Sequence, residues 1–429
     1  METKNEKQTV DQKVDSYNDE NKPKLLIIHD HLLKSYNFRH NVVKGVTEYT
    51  HRKDDNGIYK ELDEMFINSQ VSLFKLGGLK ATYSEVSQLL NSNLVEKHHP
   101  FEEYFNNLPK WGETNPSEIE KLANTIETDE QEHFELCLKR WLIAVVACAT
   151  KTEIVNQQMI VLSGKQGLGK STWIGKLIPK ELSNYYYSGS INASNKDTYV
   201  YLAESFIINL DELTNMNKKE SSKFKEIITQ GTINIRKAFA KTAKILTRRA
   251  SFIGSINESE FLYDLTGSRR FLCFITEKIN YSNDVNIDLV YAEAKYLLEK
   301  GEKYHFDKEE IDLIDKMNDR FRVKNPIEIK LLDQFSSIRQ IEIPSEYGLK
   351  EEEILLSLRP ISVLMKIHPN KYKYQPPTMV ELKTIGSILT MHKFKSKMIK
   401  GRKYYELHRN IPKVDGQKIY FGIDPNEKH

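Results

Sequence analysis

Four short apolar runs punctuate the middle of the chain, and each gives way to polar residues. Residues 158–162, 206–210, 251–256 and 271–275 are too short for helices and read as buried strands of one sheet. Helical patterns precede and separate them. Residues 134–148 are almost wholly apolar, as a buried helix would be, and residues 171–177 form a helical stretch stopped by Pro179. Residues 218–230 place Phe224, Ile227 and Ile228 on one face, with Gly231 as the stop. Upstream, residues 38–52 read as a hairpin, and Ile58, Leu62, Met65 and Phe66 fall at helical spacing, a face expected to join a core. Beyond residue 300 the pattern turns to charged helices, punctuated by Pro326 and by Gln375-Pro376-Pro377. Thr378 to Glu381 is a capping box opening a helix that buries Leu382, Ile385, Ile388 and Leu389. Residues 394–399 and 402–408 alternate around Lys400-Gly401 as a hairpin. Helix followed by basic hairpin has the shape of a winged helix, able to meet duplex DNA or protein.

Composition narrows the class. The 429 residues are 39% hydrophobic and 29% charged, enough for two to three domains. The first 22 residues are almost wholly polar, lack the apolar centre of a signal peptide, and are expected to form a disordered leader. No run approaches a membrane span. Cys137, Cys148 and Cys273 have no metal-ligand spacing and cannot all pair, which suits a reducing cytoplasm. A net charge of +3 is uninformative, but its distribution is not. No acidic residue lies from Ile227 to Asn257, a stretch holding Arg236, Lys237, Lys241, Lys244, Arg248 and Arg249. A second basic cluster comprises Lys393, Lys395, Lys397, Lys400, Arg402 and Lys403.

The strand ends carry the candidate chemistry. Gly164-x-x-x-x-Gly169-Lys170-Ser171 follows the first core strand and opens a helix, as a phosphate-binding loop must. Glycines at 164, 167 and 169 let backbone amides turn toward phosphate oxygens at a helix N-terminus. Lys170 is expected to reach the β and γ phosphates of ATP, Ser171 to ligate Mg²⁺, and Thr172 to complete the cradle. Asp211 and Glu212 end the next strand, suited to hold the metal and to act as general base. Asn257, ending the third strand, stands where ring ATPases carry the group that orients the attacking water. Arg269 and Arg270 precede the fourth strand, poorly placed for their own loop and suited to a neighbouring copy's γ phosphate.

Taken together, GKQGLGKST, FIINLDE, INIRKAFAKTAKILTRRASFIGSIN and LTGSRRF resemble the virulence-associated protein E family of phage and mobile-element replication proteins. HHPFEEYFNNLPKW and Leu138 to Leu142 agree with it, and the resemblance spans roughly residues 90–300. It implies an α/β fold: a P-loop NTPase core of the AAA+ class, similar to superfamily 3 helicases, with an N-terminal accessory domain and a C-terminal winged-helix-like domain. The expected boundaries are a leader to 22, an accessory or collar domain over 23–125, the ATPase core over 126–300, a helical linker over 301–377 and the winged tail over 378–429. The resemblance also implies that residues 233–240 and 245–250 are arms of a channel hairpin gripping a nucleic-acid backbone, through Lys241 and Lys244 near its tip with Arg236 and Lys237. Phe239 is then either a base-stacking platform or a packing residue, and Arg236, Arg248 and Arg249 are alternatives for nucleotide or intersubunit contacts. The implied activity is a ring-forming, hexameric, ATP-dependent helicase or translocase acting on single-stranded or forked DNA, with primase or other replication proteins as partners and no membrane. The alternative is a DNA-binding ATPase switch, an antiphage sensor or replication initiator, that hydrolyses ATP without unwinding. No paired carboxylates in the first 90 residues support primase activity.

Overall fold

The computed structural model describes residues 22–54, 57–192, 195–211, 213, 218–235, 244–257, 260–262, 268–337 and 355–410. The chain divides into two compact units, Met1–Arg322 and Val323–His429.

The first unit opens with α1 (Lys24–Ser35), β1 (Tyr36–Asn41), β2 (Val46–His51), β3 (Lys60–Glu61), α2 (Glu64–Leu76), α3 (Tyr83–Leu90) and β4 (Lys97–His98). Its small sheet runs β3-β2-β1-β4, and β1 and β2 pair as the expected hairpin. Half of the expected helical face joins the core: Phe66 is buried and Leu62 packs against the same cluster, while Ile58 and Met65 do not. Asp63 caps α2 by accepting from the Phe66 amide, so the helix begins after Ile58, which stays exposed along with Met65. Phe66, Ile67, Gln70, Val71 and Phe74 face inward.

The core of this unit comprises α4 (Pro100–Asn107), α5 (Glu118–Ala123), β5 (Ile126–Thr128), α6 (Gln131–Thr150), β6 (Met159–Ser163), α7 (Lys170–Lys176), β7 (Tyr186–Ser188), α8 (Lys196–Glu204), β8 (Ile207–Asp211) and α9 (Lys218–Thr229), followed by β9 (Thr232–Ile235), β10 (Lys244–Thr247), β11 (Ser251–Ile256), β12 (Phe271–Ile279), α10 (Ile287–Glu299) and α11 (Lys308–Asn318). A six-stranded sheet has the order β5-β12-β6-β11-β8-β7. Its last five strands are mutually parallel, and β5 joins β12 antiparallel.

Alternation along each strand fills both faces. Ile160, Leu162, Ile207, Ile253, Leu272 and Phe274 pack with α6, α7 and α10, while Met159, Val161, Ile208, Leu210, Phe252 and Phe271 pack with α8 and α9. Phe101, Phe105, Ile119 and Leu122 join the first layer, so α4 and α5 pack with the large sheet although they precede residue 125. Gly254 is required where β11 lies between β6 and β8: a Cβ there would stand 2.5 Å from Met159 Cε and 2.7 Å from the Leu210 carbonyl oxygen. Among the described residues, no helix is long and apolar enough to cross a membrane. Cys137, Cys148 and Cys273 are free and buried.

Two arginines expected to face a ligand or a second copy are internal fixtures. Fully buried Arg248 donates to the carbonyls of Ile227, Ile228, Asn156 (3.1 Å) and Ala250 (3.0 Å), closing the C-terminal turn of α9. Its guanidinium also lies over the Phe252 ring, and burial pushes its pKa down to about 10, leaving it cationic near neutrality. Arg249, also buried, donates to the Ala149 carbonyl at 3.1 Å and caps α6. The physical reason is local: both follow β10 directly, where the chain turns inward to start β11.

The second unit contains α12 (Pro326–Gln334), β13 (Phe335–Ser336), β14 (Leu355–Leu358), α13 (Pro360–Ile367), α14 (Met379–Met391), β15 (Ser396–Ile399) and β16 (Arg402–Arg409). Strand β16 pairs antiparallel with β13, β14 and β15. Thr378 and Glu381 form the expected capping box on α14. Leu331, Val363, Leu364 and Ile367 share a core with Ile385, Ile388, Leu389 and Leu407. The unit therefore takes in much of the stretch expected to be a linker.

Replacing Arg248 by Met should keep most of its volume while removing its donors from four buried carbonyls. The expected cost is about 3 kcal/mol or more, read as a lower urea midpoint of the full chain; an unchanged midpoint would contradict the capping role.

Candidate active site

Parallel pairing brings the exits of β6, β8 and β11 to one edge of the sheet. Ser163 is level with Ile256 and with Ile275, and Ser255 is level with Asp211. The loop after β6 therefore sits beside both Asp211 and Asn257.

Gly167 and Gly169 have φ of 86° and 88°, a left-handed backbone that glycine adopts without strain. Gly169 is the N-cap of α7, and Gly164 donates its amide to the Ile256 carbonyl at 3.2 Å. Buried Lys170 turns its ammonium back into the loop, donating to the carbonyls of Gly164 (2.7 Å) and Lys165 (2.9 Å) and to Asn257 Oδ1 (3.1 Å). Desolvation holds this ammonium below the usual lysine range. Ser171 donates to Asp211 Oδ1 at 3.0 Å, and Thr172 lies exposed beside it in the first turn of α7.

Asp211 collects more donors than the sequence reading assigned to it. Ser255 Oγ (3.1 Å) and Asn209 Nδ2 (3.2 Å) reach its Oδ1, and Ser188 Oγ (3.2 Å) reaches its Oδ2. Asn209 also donates to Ser188 at 3.1 Å. The three missed residues left a signal: Asn209 and Ser255 are polar interruptions in otherwise apolar strands. Asn209 shares the face of Asp211 at two-residue spacing, and Ser255 is its register partner. Three hydroxyls and an amide thus fix one carboxylate at the strand edge. Among the described residues, no cluster of three or more His, Cys, Asp or Glu could hold a metal by itself. A serine hydroxyl beside one carboxylate suits a divalent ion that keeps waters and takes its other ligands from a phosphate chain.

Arg269 and Arg270 lie in a 3-10 turn, residues 268–270, that feeds β12. Asn318 pins this turn by donating to the carbonyls of Ser268 (3.0 Å) and Phe271 (2.8 Å), and Ser268 donates to Asp315. Arg269 is exposed and Arg270 half-buried, its pKa lowered by desolvation and then by Arg269. Because β12 is parallel to β6, Phe271 is level with Met159, at the end of the sheet opposite the loop. Phe271 therefore stands about 13 Å of strand from the level of Ser163, and the arginines before it stand farther. The structure unites Gly164, Lys170, Ser171, Asp211 and Asn257 and separates Arg269 and Arg270 from them.

Residues 236–243, with Arg236, Lys237, Phe239 and Lys241, lie outside the described residues, as do Glu212 and residues 1–21 of the expected leader. The hairpin base is described: β9 and β10 pair antiparallel, with Lys244 opposite Ile235.

Residues 106–323 match the virulence-associated protein E-like domain. The chain belongs to that family. The family match begins within α4 and ends one residue past the first compact unit, so it covers the large sheet and every described residue of the site. The small N-terminal sheet and, apart from Val323, the second unit lie outside it. The chain is also similar to the apo structure of the NrS-1 C-terminal region, at 13% identity over 91% of this chain and 100% of that one, with a TM-score of 0.49. A second structure of that region, its A form, gives 14% identity, the same coverage and a TM-score of 0.47. SCCmec type IV Cch, described as an active helicase, is 11% identical over 87% of this chain and 92% of that one, with a TM-score of 0.38. No curated protein matches the chain.

One position in the family domain's loop is under a double constraint. A Cβ on Gly169 would meet the Tyr281 ring at 2.3 Å, in a backbone conformation that L side chains rarely adopt. Gly169→Ala should destabilise the chain by about 1–3 kcal/mol. Adding Tyr281→Ala should recover part of the loss, because the ring can be removed while the backbone strain stays. Thermal unfolding of both variants checks this, and equal losses in the two would contradict it.

Proposed function

We propose that this family member is an ATP-hydrolysing motor with an AAA+ core of the superfamily 3 helicase kind, working as a ring on DNA in the replication of a phage or mobile element. One observation carries the reading: Lys170, Ser171, Asp211 and Asn257 form a hydrogen-bonded set at one edge of the sheet, while Arg269 stands exposed at the other. The strand order supports it, since the carboxylate strand β8 is separated from the loop strand β6 by β11, which brings Asn257 between them.

In this reading the loop amides and Lys170 bind the β and γ phosphates of ATP, the ammonium exchanging its loop carbonyls for phosphate oxygens. Ser171 and Asp211 hold Mg²⁺, with Asp211 oriented by Ser188, Asn209 and Ser255. When bound, the ion neutralises charge on the β and γ phosphates. Asn257 orients the attacking water and Glu212 accepts its proton. Arg269 or Arg270 of a neighbouring copy stabilises charge developing on the γ phosphate. Strand β11 links this site to DNA: it starts next to the Arg248 anchor at the hairpin base and ends at Asn257. A change at Asn257 is thereby passed along six paired residues to the arm carrying Lys244 and, beyond it, Lys241, Lys237, Arg236 and Phe239. The second unit is read as a winged helix, with α14 and the basic β15–β16 hairpin as its duplex-facing elements.

Lys170→Ala should abolish ATP turnover, measured as phosphate release; normal turnover in that variant contradicts the site. Arg269→Ala or Arg270→Ala should bind ATP normally, and at least one should lose turnover by about 10³-fold. Mixing that variant with Lys170→Ala protein should restore some activity through mixed interfaces, and no restoration contradicts the trans assignment. On a forked DNA, a motor displaces the strand in an ATP-dependent manner, whereas DNA-stimulated turnover without displacement would select the switch.

A further inference from the structure

We propose that Tyr281 is the nucleobase platform of the ATP site. The inference rests on the phosphate-binding reading above and adds a recognition residue to it. Tyr281 lies two residues past β12, 48% exposed, with its ring against Gly169 at the N-terminus of α7. A ring in that place is held there by construction. Asn280 donates its amide to the Thr125 carbonyl at 2.8 Å, and the Thr125 hydroxyl accepts from Trp173 Nε1, inside α7, at 2.7 Å. On the other side, Lys176 at the end of α7 donates to the Asn283 carbonyl at 2.7 Å, and Asn283 Nδ2 closes the turn onto the Asn280 carbonyl at 2.7 Å. Residues 280–283 are thus tied at two points to the helix that receives the phosphates.

Sheet order decides which end of the nucleotide meets the ring. The metal-binding and water-orienting groups, Asp211 and Asn257, come from β8 and β11, on one side of β6. Tyr281 follows β12, on the opposite side. With the γ phosphate directed toward Asp211 and Asn257, the nucleoside leaves across the α7 N-terminus toward β12. There it meets a half-exposed aromatic face. Stacking needs only a π surface, so the contact favours nucleosides over bare polyphosphates without choosing strongly among bases.

Titration calorimetry on the full chain separates the two ends of the ligand, using ATP and inorganic tripolyphosphate as probes. Tyr281→Ala should weaken ATP roughly tenfold or more while leaving tripolyphosphate unchanged, and Tyr281→Phe should bind both as the parent does. Unchanged or tighter ATP binding by Tyr281→Ala overturns the proposal, as does an equal loss for both probes, which would make the ring a mere prop of the loop. Lys170→Ala serves as the comparison, since it should lose both probes. If the parent chain binds neither, the phosphate-binding reading fails first and takes this inference with it.

Discussion

A parallel sheet sends every strand out at the same edge, and this constraint organises the molecule. Once β6 pairs with β11 on one side and β12 on the other, the loop of Gly164 to Lys170 must open beside Asp211 and Asn257. The same pairing forces the start of β12, and with it Arg269, to the far end. One geometric rule therefore assembles four groups of the candidate site and places two arginines beyond their own site's reach. A guanidinium that is to meet a triphosphate from there needs a second copy.

The helices keep those strand ends in position. Two arginines just before β11 close the C-termini of α9 and α6, giving cationic donors to the carbonyls of Ile227, Ile228 and Ala149. Strand β11 then spans the sheet from that anchor to Asn257. The proposed DNA hairpin rises just before the anchor, so the element that would grip a strand and the element that would sense a phosphate share one short, rigid connection. Tyr281 belongs to a second such connection, made by Thr125 and Lys176 to α7.

Much of this was legible because the informative signals are local. A glycine pattern between an apolar run and a helix fixes the loop, and an apolar run ending in Asp fixes the carboxylate strand. The capping box at Thr378 and the hairpin at residue 38 were equally plain. What escaped depended on partners distant in sequence. Asn209, Ser188 and Ser255 orient Asp211 only once three strands are side by side, and a strand as short as Tyr186–Ser188 leaves no periodic trace. Arg248 and Arg249 look like the cations around them in the sequence, because charge alone does not reveal that a chain turns inward. Spacing at Ile58 and Met65 suggested a buried face, but Asp63 set the helix start later. The packing of α12 and α13 with α14 was hidden by the charged, proline-punctuated sequence around them.

The central claim is that the site is completed between copies, and a structure of the assembled chain with Mg²⁺ and a non-hydrolysable ATP analogue tests it most directly. The expected result is a triphosphate at the α7 N-terminus with Arg269 or Arg270 of the adjacent copy within hydrogen-bond distance of the γ phosphate. A nucleotide enclosed by a single chain, with both arginines of every copy facing solvent or their own subunit, would contradict the account.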